Sequence, residues 1–316
     1  MRRVSVVTVF YNRAALVRAS IGSLLAQTYP DLEIIAVDDG SADGTGRELA
    51  ALSDPRLKVI SHSNRGFTAS LNLGIRQSSG DYVAIHGAGD ISDSRRIEEQ
   101  ATVLDAKPNV GVVGCYVHDA TTGILVKSPS GLPFFDTQIR RGLFTHGEVM
   151  FRRTLFDLVG GYREFFHFAQ DRDLWLRMSE HCDYEIIPKV LYSRTHMADS
   201  LRSSADKQIA QVFFSELAVQ SAVHRRKHGF DLIDRYGSGS MVFRCRSPKL
   251  ARRLAGLGIR RMLEGDRDGL RMVRIALREY PSPRVVAVYL GCSLLSTPLS
   301  PVVRSPLAAF YKGRQE

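Results

Sequence analysis

The sequence predicts an α/β fold with a doubly wound, mostly parallel sheet, followed by a separate helical region. Three observations predict it. Short apolar runs alternate with stretches of helical periodicity through the first half of the chain, which implies βαβ units. The early runs end in loops rich in Gly, Asn, Asp and Arg. From about residue 200 the apolar positions follow helical spacing alone, so we expect an α/β domain over 1–205 and a helical region over 206–316.

Residues 4–9 form the first strand, apolar and too short for a helix, ended by Phe10-Tyr11-Asn12-Arg13. Residues 14–27 follow as a helix because Val17, Ile21, Leu24 and Leu25 share one face, and Tyr29-Pro30-Asp31 stops it. The second strand, 32–37, ends in Asp38-Asp39-Gly40-Ser41, and Asp43 is placed to cap a helix over 44–52. The third strand is 57–61; Asn64-Arg65-Gly66 is a turn, and 67–78 a helix with Leu71 and Ile75 on one side. Residues 82–85 are the fourth strand. Beyond it the pattern predicts a helix at 95–104, strands at 111–117 and 147–151, a helix at 171–179, and closing strands at 184–187 and 190–192. In the helical region 207–228 comes first. Ser247 as N-cap with Pro248 behind it opens 248–263, and Asp266 caps 267–279.

Right-handed crossovers place the loops at 10–13, 38–41, 62–66 and 86–90 on one rim, where open α/β sheets bind ligands. Asp38, Asp39 and Asp90 are therefore expected to be neighbours there. The stretch Gly80-Asp-Tyr-Val-Ala-Ile-His-Gly-Ala-Gly-Asp-Ile91 organises this rim: a buried strand, a glycine-rich turn, and one carboxylate. Neither GxGxxG nor GxxxxGK[ST] follows the first strand, which counts against dinucleotide and P-loop folds.

The formal net charge of +10 points to an anionic partner: nucleic acid, a phosphorylated sugar donor or a membrane surface. Cys115, Cys182, Cys245 and Cys292 are scattered without a CxxC pair. That spacing predicts free thiols in a reducing compartment and argues against a zinc site. The start, Met1-Arg-Arg-Val-Ser-Val-Val, carries no cleavage pattern, so the expected location is cytoplasmic.

Val4-Ser-Val-Val-Thr-Val-Phe-Tyr-Asn-Arg13, Gln27-Thr-Tyr-Pro30 and Ile35-Ala-Val-Asp-Asp-Gly-Ser-Ala-Asp-Gly-Thr45 resemble the start of the family 2 glycosyltransferases. The resemblance continues through Asn64-Arg-Gly66, Ala69-Ser-Leu-Asn-Leu-Gly74 and Gly80-Asp-Tyr-Val83. It then reaches Thr145-His-Gly-Glu-Val-Met-Phe-Arg-Arg153, Gly160-Gly-Tyr-Arg-Glu164, Gln170-Asp-Arg-Asp-Leu-Trp-Leu-Arg177 and Tyr192-Ser-Arg-Thr-His196. It covers roughly 3–200 in the family's order. It implies the GT-A fold, a Rossmann-like, mostly parallel sheet with helices on both faces. It also implies inverting transfer of a sugar from a UDP- or dTDP-linked donor to a glycan or lipid-linked acceptor.

Carried over residue by residue, the resemblance makes Asp39 the acceptor for the donor's base, with Asp38 turned into the fold. Thr8 and Tyr11 fall where the family forms the base and ribose pocket, Tyr11 having the alternative of a plain core aromatic. Arg65, at a helix N-terminus, is a diphosphate contact or a solvated arginine. Asp171 matches the general base, its alternative being a helix N-terminal carboxylate favoured by the macrodipole; the family's usual Glu-Asp is Gln170-Asp171 here, so only Asp171 of the pair can serve. Asp173 reads as structural. Trp175 lines the acceptor site or fills a helix core, and His146 contacts acceptor or diphosphate or is a loop histidine.

The chain departs from the family after the fourth strand. Members usually show Asp-x-Asp there to hold ribose and a divalent metal; here the residues are Gly87-Ala88-Gly89-Asp90. The resemblance implies a Mg²⁺ or Mn²⁺ cofactor. Asp90 is the carboxylate left to hold it, and His196, at the family's late histidine position, is a candidate second ligand or a satisfied surface histidine.

The tail suggests a further partner. Arginines stud the last helices, and no charge occurs between Arg284 and Arg304. That combination suits a basic helix pair with an apolar segment lying on an anionic membrane surface, or a helical cap packed on the enzyme. Two rival readings stand beside the enzyme: a donor-binding protein without turnover, and a nucleic-acid binder. The latter lacks an aromatic-basic reading motif, so no nucleic-acid partner is expected.

Overall fold

The computed structural model describes residues 2–128, 131–140, 142–195 and 204–295. The chain divides into two compact units, Met1–Met197 and Ala198–Glu316.

The first unit runs β1 (Val4–Phe10), α1 (Val17–Leu25), β2 (Leu32–Asp39), α2 (Thr45–Ala50), β3 (Leu57–His62), α3 (Phe67–Arg76), β4 (Tyr82–Gly87), β5 (Ile91–Ser92), α4 (Arg96–Ala106) and β6 (Val110–Asp119). It continues with β7 (Leu125–Val126), α5 (Phe134–Arg140), β8 (Met150–Arg152), α6 (Arg153–Leu158), α7 (Gln170–Met178) and β9 (Asp183–Arg194). One sheet holds them in the order β3-β2-β1-β4-β8-β6-β9-β5, with β7 beside β6. The β3-β2-β1-β4 stretch is parallel, and β8 enters antiparallel between β4 and β6.

Both faces of this sheet are covered, which is why its central strands read as unbroken apolar runs rather than alternating ones. Val4, Val6, Phe10, Ile34 and Ala36 pack under α1 and α4. Val7, Val9, Ile35 and Val37 pack on the opposite face against Leu71 and Ile75 of α3 and Leu174 and Trp175 of α7.

Two details differ from expectation. The closing strands are one strand, β9, because register shifts against β6 around Cys115, Tyr116 and Val117 absorb the interruption at Pro188. The first helix begins only at Val17, after a 3-10 turn at Ala14–Leu16. Asp43 does accept from Thr45 N (3.0 Å) at the start of α2.

The second unit contains α8 (Ala205–His228), α9 (Leu232–Tyr236), α10 (Pro248–Glu264), α11 (Asp268–Glu279) and α12 (Pro283–Leu295). Ser247 caps α10, its Oγ accepting from Leu250 N at 3.2 Å. Leu250, Leu254, Met272, Ala276 and Val285 form its core. Arg244 clamps Glu279 with two bonds of 2.7 and 2.6 Å, and Ser247 N donates to the same carboxylate. The described part of the apolar tail is α12, docked on α10 and α11 through Val285, Val288 and Cys292. This packing is internal to the helical unit; the rest of the apolar segment lies outside the described residues. Among the described residues no helix is long and apolar enough to cross a membrane.

Candidate functional site

β1, β2 and β4 stop together: Phe10 lies opposite Asp38, and Val9 opposite Gly87. Their ends form the open rim where such sheets bind ligands. β1 lies between the other two, so Asp39 and Asp90 share the rim without touching. Two strand spacings put about 10 Å between the ends of β2 and β4.

On the β2 side the loops are stitched to one another. Asn12 N donates to Ser41 Oγ (2.9 Å), Ala42 N to Asn12 Oδ1 (2.9 Å) and Arg13 N to Thr45 Oγ1 (2.7 Å). Asp38 accepts from Ser41 N at 3.1 Å and is turned into the fold, against α2. Asp39 accepts from Arg65 N (2.8 Å) and Gly66 N (3.1 Å), which fixes the turn that starts α3. Arg65 itself is exposed, and its guanidinium has no hydrogen bond or ion pair among the described residues. Tyr11 is 48% exposed just past the end of β1, so the core-aromatic reading falls away.

On the β4 side the centre is Tyr192. Its hydroxyl accepts from Gly87 N at 2.8 Å and therefore spends its one proton on Asp90 Oδ2, at 2.6 Å. Thr195 N donates to Asp90 Oδ1 at 3.0 Å. A Cβ at Gly87 would overlap the Asp90 carboxylate, and one at Gly147 would overlap the Tyr192 hydroxyl. The departure from Asp-x-Asp thus has a structural counterpart: glycine at 87 gives Asp90 the space to fold back onto Tyr192. Burial pushes the Asp90 carboxyl up from its ordinary value, and hydrogen bonds from Tyr192 and Thr195 oppose the shift. The Tyr192 ring is held by Arg96, fully buried, whose guanidinium sits 5.1 Å above it and donates to Gly147 O (2.6 Å) and Ile85 O (3.1 Å).

His86 packs its ring edge-on to Tyr192 at 5.6 Å. Its Nδ1 meets Ser92 Oγ (3.1 Å), and its Nε2 meets Ser20 Oγ (3.1 Å) and Asp90 O (3.0 Å). Burial, helped by Arg96, lowers its pKa from 6.5 to about 3. The unfolded chain takes up this proton as pH falls through 6.5; the folded chain does not until about 3. Stability is therefore expected to drop by about 2 kcal/mol between neutral pH and pH ~5 from this group alone. Urea unfolding at the two pH values checks it, and the difference should shrink in His86→Gln.

The turn Thr145-His-Gly-Glu148 joins this side to α7. Glu148, fully buried, closes it by accepting from Thr145 N (2.7 Å) and Thr145 Oγ1 (2.5 Å). His146 holds a left-handed backbone, φ 86°, unusual for a residue with a side chain. Its Nε2 meets Tyr162 Oη at 2.8 Å, and its ring lies 5.8 Å from Phe67 at the start of α3 and 6.4 Å from Trp175. Burial lowers the His146 pKa, and Asp171 pulls in the opposite direction. Tyr162 is placed by α3, whose Asn72 side chain donates to Tyr162 O (2.8 Å) and accepts from Tyr162 N (3.0 Å).

The two α7 carboxylates differ. Asp173, 2% exposed, is held by Arg177 (2.7 and 3.0 Å) and Arg163 (3.3 Å). Asp171 is half-buried in the first turn and has no hydrogen bond or ion pair among the described residues.

Two candidates need correction. Thr8 is fully buried below the rim, its Oγ1 without a partner among the described residues, because it points to the same face as Val4 and Val6. Trp175 is 1% exposed and packed between Phe144 and Phe151, so it is core rather than an acceptor surface. His196 lies outside the described residues. Sequence reasoning missed Tyr192, Tyr162 and Asn72. All three stood inside quoted motifs, as a tyrosine at a strand end, a tyrosine after two glycines, and an asparagine inside an apolar helix face.

Among the described residues no group of three His, Cys, Asp or Glu is arranged to hold a metal ion. Asp90 alone offers hard oxygen at the end of β4, and each oxygen keeps a lone pair beyond its present bond. Such a donor set fits Mg²⁺ or Mn²⁺ only where a bound ligand's oxygens complete the shell.

The profile of "Glycosyl transferase family 2" matches residues 5–167. The putative glycosyltransferase EpsE of Bacillus subtilis (strain 168) is 33% identical over 193 residues, 56% of this chain and 67% of that protein. An uncharacterized glycosyltransferase of Haemophilus influenzae is 38% identical over 132 residues, 41% of this chain and 39% of that protein. S. aureus TarS 1-349, solved in complex with UDP-GlcNAc, superposes with a TM-score of 0.56 at 14% identity, over 93% of this chain and 91% of that one. The mannosyltransferase PcManGT from Pyrobaculum calidifontis, solved with GDP-Man and Mn²⁺, gives 0.55 at 19%, over 94% and 81%. At these identities the structural likeness is one of fold, GT-A. The matched residues run from β1 through the rim loops to the His146 turn and Tyr162, and the chain is a member of glycosyl transferase family 2, a glycosyltransferase.

Proposed function

We propose that the enzyme transfers a sugar, with inversion, from a UDP- or dTDP-linked donor to a hydroxyl of a glycan or lipid-linked acceptor. The observation that carries this reading is the uncommitted Asp171 carboxylate at the edge of a site whose other carboxylates are tied down. Asp171 takes the proton of the acceptor hydroxyl as its oxygen attacks the anomeric carbon, and the nucleoside diphosphate leaves from the opposite face. His146, kept neutral by burial, supports this role by adding no competing cation next to the base.

Asp39, 2% exposed and with His62 Nδ1 3.7 Å from its Oδ1, receives the donor base through the lone pair each oxygen keeps after accepting from Arg65 N and Gly66 N. Tyr11 is exposed beside it for the ribose or base face. Arg65, at the entry to α3, meets the diphosphate. Asp90 would hold Mg²⁺ or Mn²⁺ together with the diphosphate oxygens; a bound ion supplies neutralisation of the leaving charge. Support for a nucleotide-sugar donor comes from the neighbours of the same fold, one carrying UDP-GlcNAc and one GDP-Man.

The test is a thermal-shift screen of nucleotide-sugars followed by product analysis with lipid and glycan acceptors. UDP should bind, and Asp39→Ala should weaken it by about 1.5–3 kcal/mol through loss of a hydrogen bond to a charged group. Equal affinity in the variant would place the donor elsewhere. Gly87 and Gly89, standing where the family has carboxylates, favour one other reading, donor binding without turnover; tight binding with no product from any acceptor would support it.

A further inference from the structure

The positive charge of this chain is unevenly divided. Residues 198–316 hold 21 of the 43 Lys and Arg but only 10 of the 33 Asp and Glu, while residues 1–197 carry 22 against 23. The excess therefore belongs wholly to the helical unit, and not to the nucleotide-binding rim. Within that unit one surface combines charge with exposed apolar groups. Between α9 and α10 the chain makes a 3-10 turn at Gly237–Phe243. Val242 is 83% exposed, Phe243 50%, Met241 39% and Tyr236 37%. Phe243 and Tyr236 stack at 4.2 Å, so the aromatic pair is rigid rather than splayed.

Cations border this knob. Arg235 lies over the Tyr236 ring (5.6 Å) and the Phe230 ring (4.5 Å). Phe230 in turn meets His224 of α8 at 4.6 Å, one turn before Lys227. Arg246 follows three residues after Phe243. The side chains of Arg235, Lys227 and Arg246 have no hydrogen bond or ion pair among the described residues, although Arg246 acts on Glu279 at longer range; Arg244, in contrast, is clamped by Glu279. Gln220 fixes the chain beyond the knob through both sides of Cys245, donating to its O (2.9 Å) and accepting from its N (2.8 Å).

We propose that this knob is a membrane-docking element: Met241, Val242 and Phe243 enter the headgroup boundary of an anionic leaflet, and Lys227, Arg235 and Arg246 sit on its phosphates. Apolar side chains raised on a turn, with Arg235 packed over the neighbouring rings and Lys227 and Arg246 exposed on the flanking segments, match an interface that is apolar a few ångströms below an anionic plane. A nucleic acid would use the cations and leave Val242 in water. A second copy of the same basic surface would bring like charges together. This inference stands on the helical unit alone and does not depend on the donor or base assignments.

The test is co-sedimentation of the full chain with vesicles of phosphatidylcholine alone and of equal parts phosphatidylcholine and phosphatidylglycerol. Binding is expected only with phosphatidylglycerol and should weaken with salt. Val242→Asp with Phe243→Ser should lower the partition on the order of tenfold. Lys227→Gln with Arg246→Gln should flatten the salt dependence. Circular dichroism melts of each variant confirm folding, with a small drop in Tm expected where Phe243→Ser removes the stack on Tyr236. Absence of binding to phosphatidylglycerol vesicles overturns the proposal, as does binding that survives the apolar double substitution. A wild-type dimer that becomes a monomer on the same substitution, without vesicle binding, would assign the knob to a second copy instead.

Discussion

Asp171→Asn should leave the fold and nucleotide affinity intact and reduce turnover by at least about a hundredfold, the scale of a lost general base. The substitution keeps shape and removes only basicity. The Asp171 carboxylate makes no hydrogen bond among the described residues, so its charge contributes to the fold only through its place in the first turn of α7, a few tenths to about 1 kcal/mol. The complementary change, Asp173→Asn, should act through stability instead, because it weakens the grip on Arg177 and Arg163 beneath α7. Rate constants at saturating donor, set beside UDP affinities and melting curves, separate the two. Near-normal turnover in Asp171→Asn would remove this carboxylate from the mechanism.

Asp90→Ala is expected to reduce transfer on the order of a thousandfold, and EDTA to do the same to the unaltered enzyme. On the proposed reading Asp90 is the one carboxylate among the described residues that would hold the ion, so calorimetry should show little Mn²⁺ binding to the free chain and clear binding once UDP is present. Tyr192→Phe offers a finer test. It keeps the carboxylate but removes both the bond to Oδ2 and the acceptor of Gly87 N. Mn²⁺ affinity in the presence of UDP should fall by about 1–3 kcal/mol in that variant. Full activity in EDTA would mean that protein cations, Arg65 foremost, neutralise the diphosphate.

The parallel core was legible because burial on both faces writes continuous apolar runs such as residues 4–9 and 32–37. Several short elements were not. β5, β7 and α6 are too short to carry a period, and α5 follows a proline-bearing loop with no apolar stripe of its own. Residue types at the strand ends announced the rim, but not its spacing, since strand order decides that β1 separates Asp39 from Asp90. In α7 the resemblance assigned Asp171 as the base and Asp173 as structural; the arginines around Asp173 supply the physical difference between the two. Tyr192 could not be read because its function is to touch residues 87 and 90, about a hundred positions earlier. Trp175 went the other way: a lone tryptophan draws the eye, and burial had the stronger claim.

One strand's width has a consequence for which ligands fit. With Asp39 on one flank of β1 and Asp90 on the other, the rim acts as a gauge about 10 Å long. A nucleoside diphosphate can set its base at one mark and its second phosphate at the other. A sugar carried on a nucleoside monophosphate would reach the first mark and fall short of the second, leaving Asp90 and Tyr192 with nothing to hold. On the proposed assignment of Asp39 to the base and Asp90 to the diphosphate, sheet topology would select the chain length of the donor, independent of base identity.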